Sequence, residues 1–194
     1  MEQDAVYKKY RDEVIILLGT GLRISEFCGL TTALDFKNRQ INVDHQLLRD
    51  ADIGYYIETP KTKNGIRQIP MTEEVCQALK RVLKNRSNAV PFSVEGYKNF
   101  LFLKNDGMPK VSANYESMLK GLVKKYNKQN KEQLPNITPH ILRHTFCTRL
   151  ANAGMNPKAL QYIMGHANIT MTLNYYAHAT SVSYTHLTLP TNSL

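Results

Sequence analysis

The chain has 194 residues, enough for one domain with a sizeable core or one domain and a short appendage. Its 25 lysines and arginines against 16 aspartates and glutamates give a net charge of +9, which favours nucleic acid over an anionic membrane as partner. The longest apolar run, Val14–Leu18, is too short for a membrane span, and no signal peptide opens the chain. Three widely spaced cysteines favour reduced core thiols over disulfides or a zinc site. These features predict a soluble cytoplasmic protein.

The first two predicted elements are helices separated by a glycine-containing break. Residues 1–19 read as one helix, and LRISEFCGL, residues 22–30, reads as a second. On the second helix, Arg23 and Glu26 are neighbours on one flank, and local residues alone favour an ordinary surface ion pair. The residues predicted to face the core are Leu22, Phe27 and Leu30.

The next segment has the pattern of strands. Residues 40–44 alternate polar and apolar, and residues 54–59 are rich in residues that favour strands. The Asn-Gly pair at 64–65 predicts a hairpin that joins 54–59 to residues 66–70. The result is a small antiparallel sheet with a cationic tip. This tip is either a solvated turn or a protruding loop that contacts a phosphate. The cations of this tip are Lys61, Lys63 and Arg67.

Two amphipathic helices follow the strands. Thr72 is the predicted N-cap of the first helix. Residues 100–103, which precede the second helix, are predicted to be a short strand or simply a buried segment. The first helix is predicted to bury Val75, Leu79, Val82 and Leu83. The second is predicted to bury Tyr115, Met118, Leu119, Leu122 and Tyr126, with its lysines outward.

The segment from Thr138 to His178 holds the densest group of ionisable and nucleophilic side chains. Thr138 and Pro139 predict a helix start, which makes His140, Arg143 and His144 project from one face. A second helix is predicted to begin at Asn156-Pro157 and to end at Gly165, which leaves His166 at a corner.

A last helix carries two adjacent tyrosines. Ile169, Leu173 and Tyr176 have the spacing i, i+4 and i+7, so they are predicted to form one stripe that faces the domain. Tyr175 lies off that stripe, toward the flank of the helix.

These side chains favour phosphoryl transfer over metal-dependent hydrolysis. His140 and His144 are the only zinc-like pair, and Ile141 stands where the HExxH pattern needs glutamate. Arginines neutralise phosphate oxygens, imidazoles move protons, and a phenol can attack phosphorus. A pentavalent phosphorane needs a second arginine beside Arg143, and Arg23 is the best candidate.

Four motifs occur along the chain: TGLRISE (20–26), HILRH (140–144), MGH (164–166) and TLNYYAH (172–178). Together they resemble the conserved boxes of the tyrosine recombinases, the phage-integrase family. The surrounding sequence, over Tyr7 to Thr180, resembles integrases of Gram-positive conjugative transposons. The resemblance implies an α+β fold, a mainly helical catalytic domain with a small antiparallel sheet or hairpin.

The resemblance also implies a mechanism without metal or cofactor, in which DNA strands are cut and rejoined through a 3′-phosphotyrosyl bond. Arg23 and Arg143 would hold the scissile phosphate, with His140 and His166 as supporting imidazoles. Tyr176 would be the nucleophile.

Two of these assignments have a competitor in the sequence. Tyr176 is preferred to Tyr175 because the family places a histidine two residues after the nucleophile, and His178 fits only Tyr176. The hairpin lysine of the family, the general acid for the leaving 5′ oxygen, corresponds to Lys61 or to Lys63, and Lys61 is preferred. His144 is expected to be a packed, hydrogen-bonded residue.

The same resemblance implies double-stranded DNA as partner, a homo-oligomer (tetramer) on DNA for the full-length protein, no membrane, and a bacterial cytoplasmic, nucleoid-associated location. Residues 1–180 are expected to be the catalytic domain, without the DNA-binding domains that precede it in the family. Residues 181–194 are expected to be a disordered, non-native tail, because their composition is unrelated and residues 182–187 can be back-translated into a sequencing adapter. The alternatives are a type IB topoisomerase-like nicking-closing activity and a non-catalytic DNA-binding fragment.

Overall fold

The computed structural model of the chain describes residue 4 and residues 6–60, 65–86 and 92–184, with side chains as far as residue 176. It confirms the predicted α+β class, mainly helical with small antiparallel sheets. No helix in these ranges is long and apolar enough to cross a membrane. After a 3-10 turn at Lys8–Tyr10, the elements are α1 (Arg11–Thr20), α2 (Ile24–Gly29), β1 (Gln40–Val43), β2 (Gln46–Asp50), β3 (Gly54–Glu58), β4 (Arg67–Pro70), α3 (Glu73–Asn85), α4 (Ser112–Gln129), α5 (Pro139–Asn152), α6 (Pro157–Met164) and α7 (Ile169–Tyr184).

The break between α1 and α2 is set by a left-handed glycine. Gly21 has φ 62° and caps α1, so that helix ends one residue beyond the predicted Gly19. A Cβ atom on Gly21 would lie 2.2 Å from Cδ1 of Phe146, so only glycine lets α5 pack this closely. The packing brings the carbonyl of Gly21 to the face of α5 that carries Arg143.

The strand pairing differs from the predicted hairpin. Among the described strands, β1 pairs with β4 and β2 pairs with β3, both antiparallel. The prediction that 54–59 pairs with 66–70 is therefore wrong. The error arises because the sequence did not predict strand β2, whose residues QLLRD include no β-branched or aromatic side chain. With β2 beside β3, β4 takes β1 as its partner.

One apolar core packs the four helices α1, α2, α3 and α4 against the strands. The ring of Phe27 stacks on Phe102 at 4.1 Å between centroids, and Tyr115 meets Phe27 edge-on at 5.3 Å. The predicted burial of Leu22, Phe27 and Leu30 is confirmed, and residues 100–102 are buried without forming a strand of their own. The predicted burial of Tyr126 is wrong, because the buried face of α4 ends at Val123.

A smaller apolar cluster joins α5, α6 and α7. It contains Cys147, Ala151, Leu160 and Met164, with Tyr175 and Tyr176 packed against it. All three cysteines are buried free thiols, as predicted. Burial raises the pKa of Cys147 to about 11, so this thiol is protonated at neutral pH and serves as an apolar packing group.

The orientation of α7 differs from the predicted stripe. Leu173 is 43% exposed, whereas Thr172 is fully buried and its hydroxyl contacts His166. The helical stripe therefore does not choose between the two tyrosines. The helix also continues through residues 181–184, so these four residues of the predicted disordered tail are helical, and the rest of that prediction lies outside the described residues.

Candidate active site

The end of α6 gathers three arginines from distant parts of the chain. Three successive carbonyl groups each accept a hydrogen bond from a different guanidinium group. Carbonyls in the last turn of a helix have no partner within the helix and carry negative partial charge, so cations bind them well. The bonds are Arg67 Nε to Ile163 O (2.7 Å), Arg143 Nη2 to Met164 O (2.6 Å) and Arg23 Nη2 to Gly165 O (2.9 Å).

This arrangement depends on a glycine at the end of α6. Gly165 has φ 61° in the left-handed region, as the predicted C-cap requires. A Cβ atom at this position would lie 2.9 Å from Nη1 of Arg67 and 3.0 Å from its Cζ. Glycine therefore serves both the backbone turn and the close approach of the guanidinium group.

Gly165→Ala is expected to lower the free energy of unfolding by about 1–3 kcal/mol, because it adds backbone strain and displaces Arg67. Gly154→Ala is the matched control, since Gly154 also has a positive φ (77°) but no atom lies within 4 Å of its Cβ position. Urea unfolding of both variants measures the difference. Equal losses would contradict a role for the contact with Arg67.

Arg23 lies at the start of α2 and forms the predicted pair with Glu26. Its Nη1 donates to Glu26 Oε1 at 2.8 Å, and its backbone N–H donates to Oε2 at 2.9 Å. The pair is not the surface ion pair that local residues favoured, because Glu26 is only 5% exposed. The side chain of Arg23 is 39% exposed, so a ligand from solvent can reach it.

Arg67 is the residue of this site that sequence reasoning misplaced. It was assigned to the cationic tip of the sheet, but its side chain is completely buried and holds Glu26 through two hydrogen bonds of 2.8 and 3.0 Å. The sequence did contain the signal: in β4, Arg67 and Ile69 alternate with exposed Gln68 and Pro70, which places Arg67 on the core face.

Glu26 is ionised between the two arginines. Burial raises the pKa of its carboxyl group, but the hydrogen bonds from Arg67 and the charges of Arg67 and Arg23 outweigh burial and lower it. The three guanidinium groups and this one carboxylate leave two positive charges uncompensated within the cluster. Such a cluster suits an anionic ligand.

Arg143 is the buried arginine of α5. The helix starts as predicted, with Thr138 Oγ1 accepting from the N–H of Ile141 and Pro139 in its first turn. Arg143 Nη1 donates to the carbonyl of Gly21 at 2.6 Å, and the residue is only 7% exposed. Burial and the charge of Arg23 lower the pKa of Arg143 to about 10, which still leaves it a cation at neutral pH.

His166 lies at the predicted corner after α6 and is buried. Its Nδ1 is 2.9 Å from the hydroxyl of Thr172, and its residue exposure is 4%. Burial, followed by the charges of Arg143 and Arg23, lowers its pKa to about 4. His166 is therefore a neutral imidazole near pH 7.

The low pKa of His166 predicts a loss of stability in acid. Unfolding returns this pKa from about 4 to 6.5, so the unfolded state binds the extra proton between these values, and stability falls as the pH drops from 6.5 to 4. Between pH 7 and pH 4.5, the wild type is expected to lose about 2 kcal/mol more than His166→Gln. Urea unfolding at several pH values tests this, and parallel curves for the two proteins would contradict it.

The two tyrosines of α7 lie in different surroundings. The ring of Tyr175 stacks near His166, with 6.3 Å between centroids, and lies 4.8 Å from the ring of His144. The hydroxyl of Tyr176 donates to the carbonyl of Met155, in the loop between α5 and α6. Burial is the main cause that raises the pKa of both phenols. Tyr175 is thus the tyrosine against the imidazoles.

The remaining predicted residues lie around this group. His140 is exposed and lines a surface cleft with Ile24, the neighbour of Arg23. His144 has the expected hydrogen-bond partner, with Thr148 Oγ1 at 3.4 Å from its Nδ1, but it is exposed, so the expectation that it is packed is wrong. Lys61 and Lys63 lie outside the described residues. Within the described ranges, no group of three or more His, Cys, Asp or Glu side chains could hold a metal ion.

The chain belongs to the phage integrase family, whose sequence profile matches residues 2–182, and the predicted resemblance is confirmed. It is 68% identical over 178 residues to the transposase from transposon Tn916 of Enterococcus faecalis, covering 91% of this chain and 44% of that protein. The Tn1549 transposon integrase, solved in complex with circular intermediate DNA, superposes with a TM-score of 0.89 at 64% identity, covering 95% of this chain and 60% of that one. The crystal structure of XerA recombinase gives 0.67 at 28% identity, covering 93% and 57%. The chain spans less than two thirds of each relative.

Proposed function

We propose that this chain is the catalytic part of a site-specific DNA recombinase that cuts and rejoins strands through a 3′-phosphotyrosyl bond. The observation that carries the proposal is the arginine cluster, with its excess of two positive charges and the partly exposed Arg23. A phosphodiester carries one negative charge and a pentacoordinate phosphorane two, so such a cluster stabilises the transition state more than the ground state. The net charge of +9 and the DNA complex of the Tn1549 integrase support double-stranded DNA as the partner.

In the proposed reaction, Arg23 and Arg143 hold the non-bridging oxygens of the scissile phosphate. With Nδ1 of His166 accepting from Thr172, the neutral imidazole has its Nε2–H to donate to a phosphate oxygen. These three residues bind and orient the phosphate and are not consumed.

Strand cleavage then exchanges one phosphate ester for another. The hydroxyl oxygen of Tyr176 attacks phosphorus and forms the new P–O bond, while the bond from phosphorus to the 5′ oxygen breaks. We assign the exposed His140 to receive the phenolic proton and Lys61 to protonate the departing 5′ oxygen. Attack by a 5′-hydroxyl of another strand reverses these steps, so no cofactor is consumed.

The proposal includes an assembly on DNA. We take residues 1–180 as the catalytic domain and a homo-tetramer on DNA as the assembly in which full-length protein exchanges strands. A nicking-closing enzyme would need neither the second duplex nor the tetramer, so the product distinguishes the two activities.

The test uses a duplex with the end sequence of a related transposon, nicked just 3′ of the cleavage site so that the short fragment bearing the new 5′-hydroxyl diffuses away. The cut strand carries a label at its 5′ end. We expect a covalent protein–DNA adduct that retains this label, since the protein becomes bonded to the 3′ phosphate of the labelled fragment. Supercoil relaxation without joined recombinants would favour the nicking-closing activity. Binding of the duplex without any adduct would favour a non-catalytic DNA-binding fragment.

A further inference from the structure

We infer that Arg67 is a positioning residue that acts on DNA cleavage through Arg23, an inference that rests on the proposed function. Arg67 cannot contact DNA itself, because its side chain has no exposed surface. Each of its three nitrogen atoms donates to at least one protein acceptor. They reach Ile163 O (2.7 Å), Gly65 O (3.2 Å), Glu26 Oε1 (3.0 Å) and Glu26 Oε2 (2.8 Å).

The first link from Arg67 to Arg23 is the carboxylate of Glu26. Each oxygen of Glu26 accepts one bond from Arg67 and one from Arg23, so the planar fork of Arg67 fixes the plane in which Arg23 is held. Arg67 also offsets the negative charge of Glu26, which leaves more of the charge of Arg23 for an anion from solvent. A lysine would keep the charge and lose the fork.

The second link is the end of α6. Arg67 binds the carbonyl of Ile163, two residues before the carbonyl of Gly165 that accepts from Arg23. The guanidinium group also lies 2.9 Å from the position that a Cβ atom on Gly165 would take, so no side chain fits there. Arg67 thus holds the carboxylate of Glu26 directly, and it holds the end of α6 that carries the carbonyl of Gly165.

The experiment compares Arg67→Lys with Arg81→Lys. Arg81 is the matched control because it holds Asp12 with a similar fork, at 2.7–3.1 Å, but on the surface. We expect Arg67→Lys to form the adduct about 10–100-fold more slowly while duplex affinity stays within about threefold, since misplacing a catalytic group costs rate. Arg81→Lys is expected to match the wild type. An unchanged rate in Arg67→Lys would overturn the inference.

A double-mutant cycle separates positioning from a general loss of stability. If Arg67 acts through Arg23, then adding Arg67→Lys to Arg23→Lys should slow the adduct by less than about threefold further, because the shared effect is already lost. If the double variant instead forms the adduct at a rate reduced by the product of the two single-variant factors, Arg67 acts independently of Arg23, and the inference would be overturned.

A readout without DNA keeps this inference separate from the proposed function. The Nε–Hε signal of Arg23 in the ¹⁵N–¹H spectrum of the free protein is expected to shift or broaden in Arg67→Lys and to stay in place in Arg81→Lys. If the wild type forms no adduct, the proposed function fails while this spectrum still decides the positioning role. If Arg67→Lys does not fold, Arg67→Gln replaces it with the same expected change at Arg23, because it removes the planar fork without touching the contacts between Arg23 and Glu26. An unmoved signal, or a failure of both variants to fold, would overturn the inference.

Discussion

Tyr176→Phe is expected to abolish the covalent adduct with the nicked duplex, a loss of at least about a thousandfold, because the variant has no hydroxyl to attack phosphorus. Tyr175→Phe is expected to form the adduct at a rate within about tenfold of the wild type, since it keeps the nucleophile and the ring beside His166. Denaturing gel electrophoresis of single-turnover reactions measures both. An adduct that survives in Tyr176→Phe and disappears in Tyr175→Phe would exchange the two assignments.

This pair of variants is informative because the structure favours neither tyrosine on position alone. Tyr175 lies against His166, whereas the hydroxyl of Tyr176 is bound to the carbonyl of Met155. The assignment of Tyr176 rests on the spacing to His178, and it requires the hydroxyl to leave Met155 before it can attack. Adduct formation should therefore be slower than DNA binding in stopped-flow measurements.

Local sequence signals predicted most helices well. Thr72, Thr138 and Asn156 are N-caps with the expected side-chain bonds, and Gly165 is the left-handed C-cap. These features depend on a few neighbouring residues and on backbone chemistry, so a single sequence contains them. The same holds for the Arg23–Glu26 contact, which spans one helical turn.

Features set by long-range packing could not be predicted in this way. The pairing of β4 with β1 and the exposure of Leu173 depend on which neighbours compete for each face. Arg67 illustrates the difference, because strand alternation does place it inward, yet a buried arginine is credible only once Glu26 and the end of α6 are known to meet it. The site therefore combines motifs that are visible in the sequence with the contacts of Arg67 to Glu26 and to the end of α6, which are visible only in three dimensions.

Arg143→Gln is expected to lose both catalysis and stability. The variant removes the donors to the carbonyls of Gly21 and Met164, and an unsatisfied buried acceptor costs about 1–3 kcal/mol, so the free energy of unfolding should fall by about 2–4 kcal/mol. Adduct formation should slow by about a thousandfold, because a phosphate-binding cation is missing from the transition state. Arg149→Gln, an exposed change on the same helix, is the control and should behave as the wild type.

The same variant tests whether the cluster acts electrostatically on its histidine. Burial is the main cause of the low pKa of His166, and the charge of Arg143 is the next. Removing that charge should move the His166 pKa upward from about 4, in a direction that NMR titration of the imidazole can read without DNA. Since this titration needs the folded protein, it is made where urea unfolding shows the variant to be native. A slow variant with an unchanged His166 pKa would mean that Arg143 contributes through its hydrogen bonds to α6 and Gly21, and that its charge does not reach the imidazole.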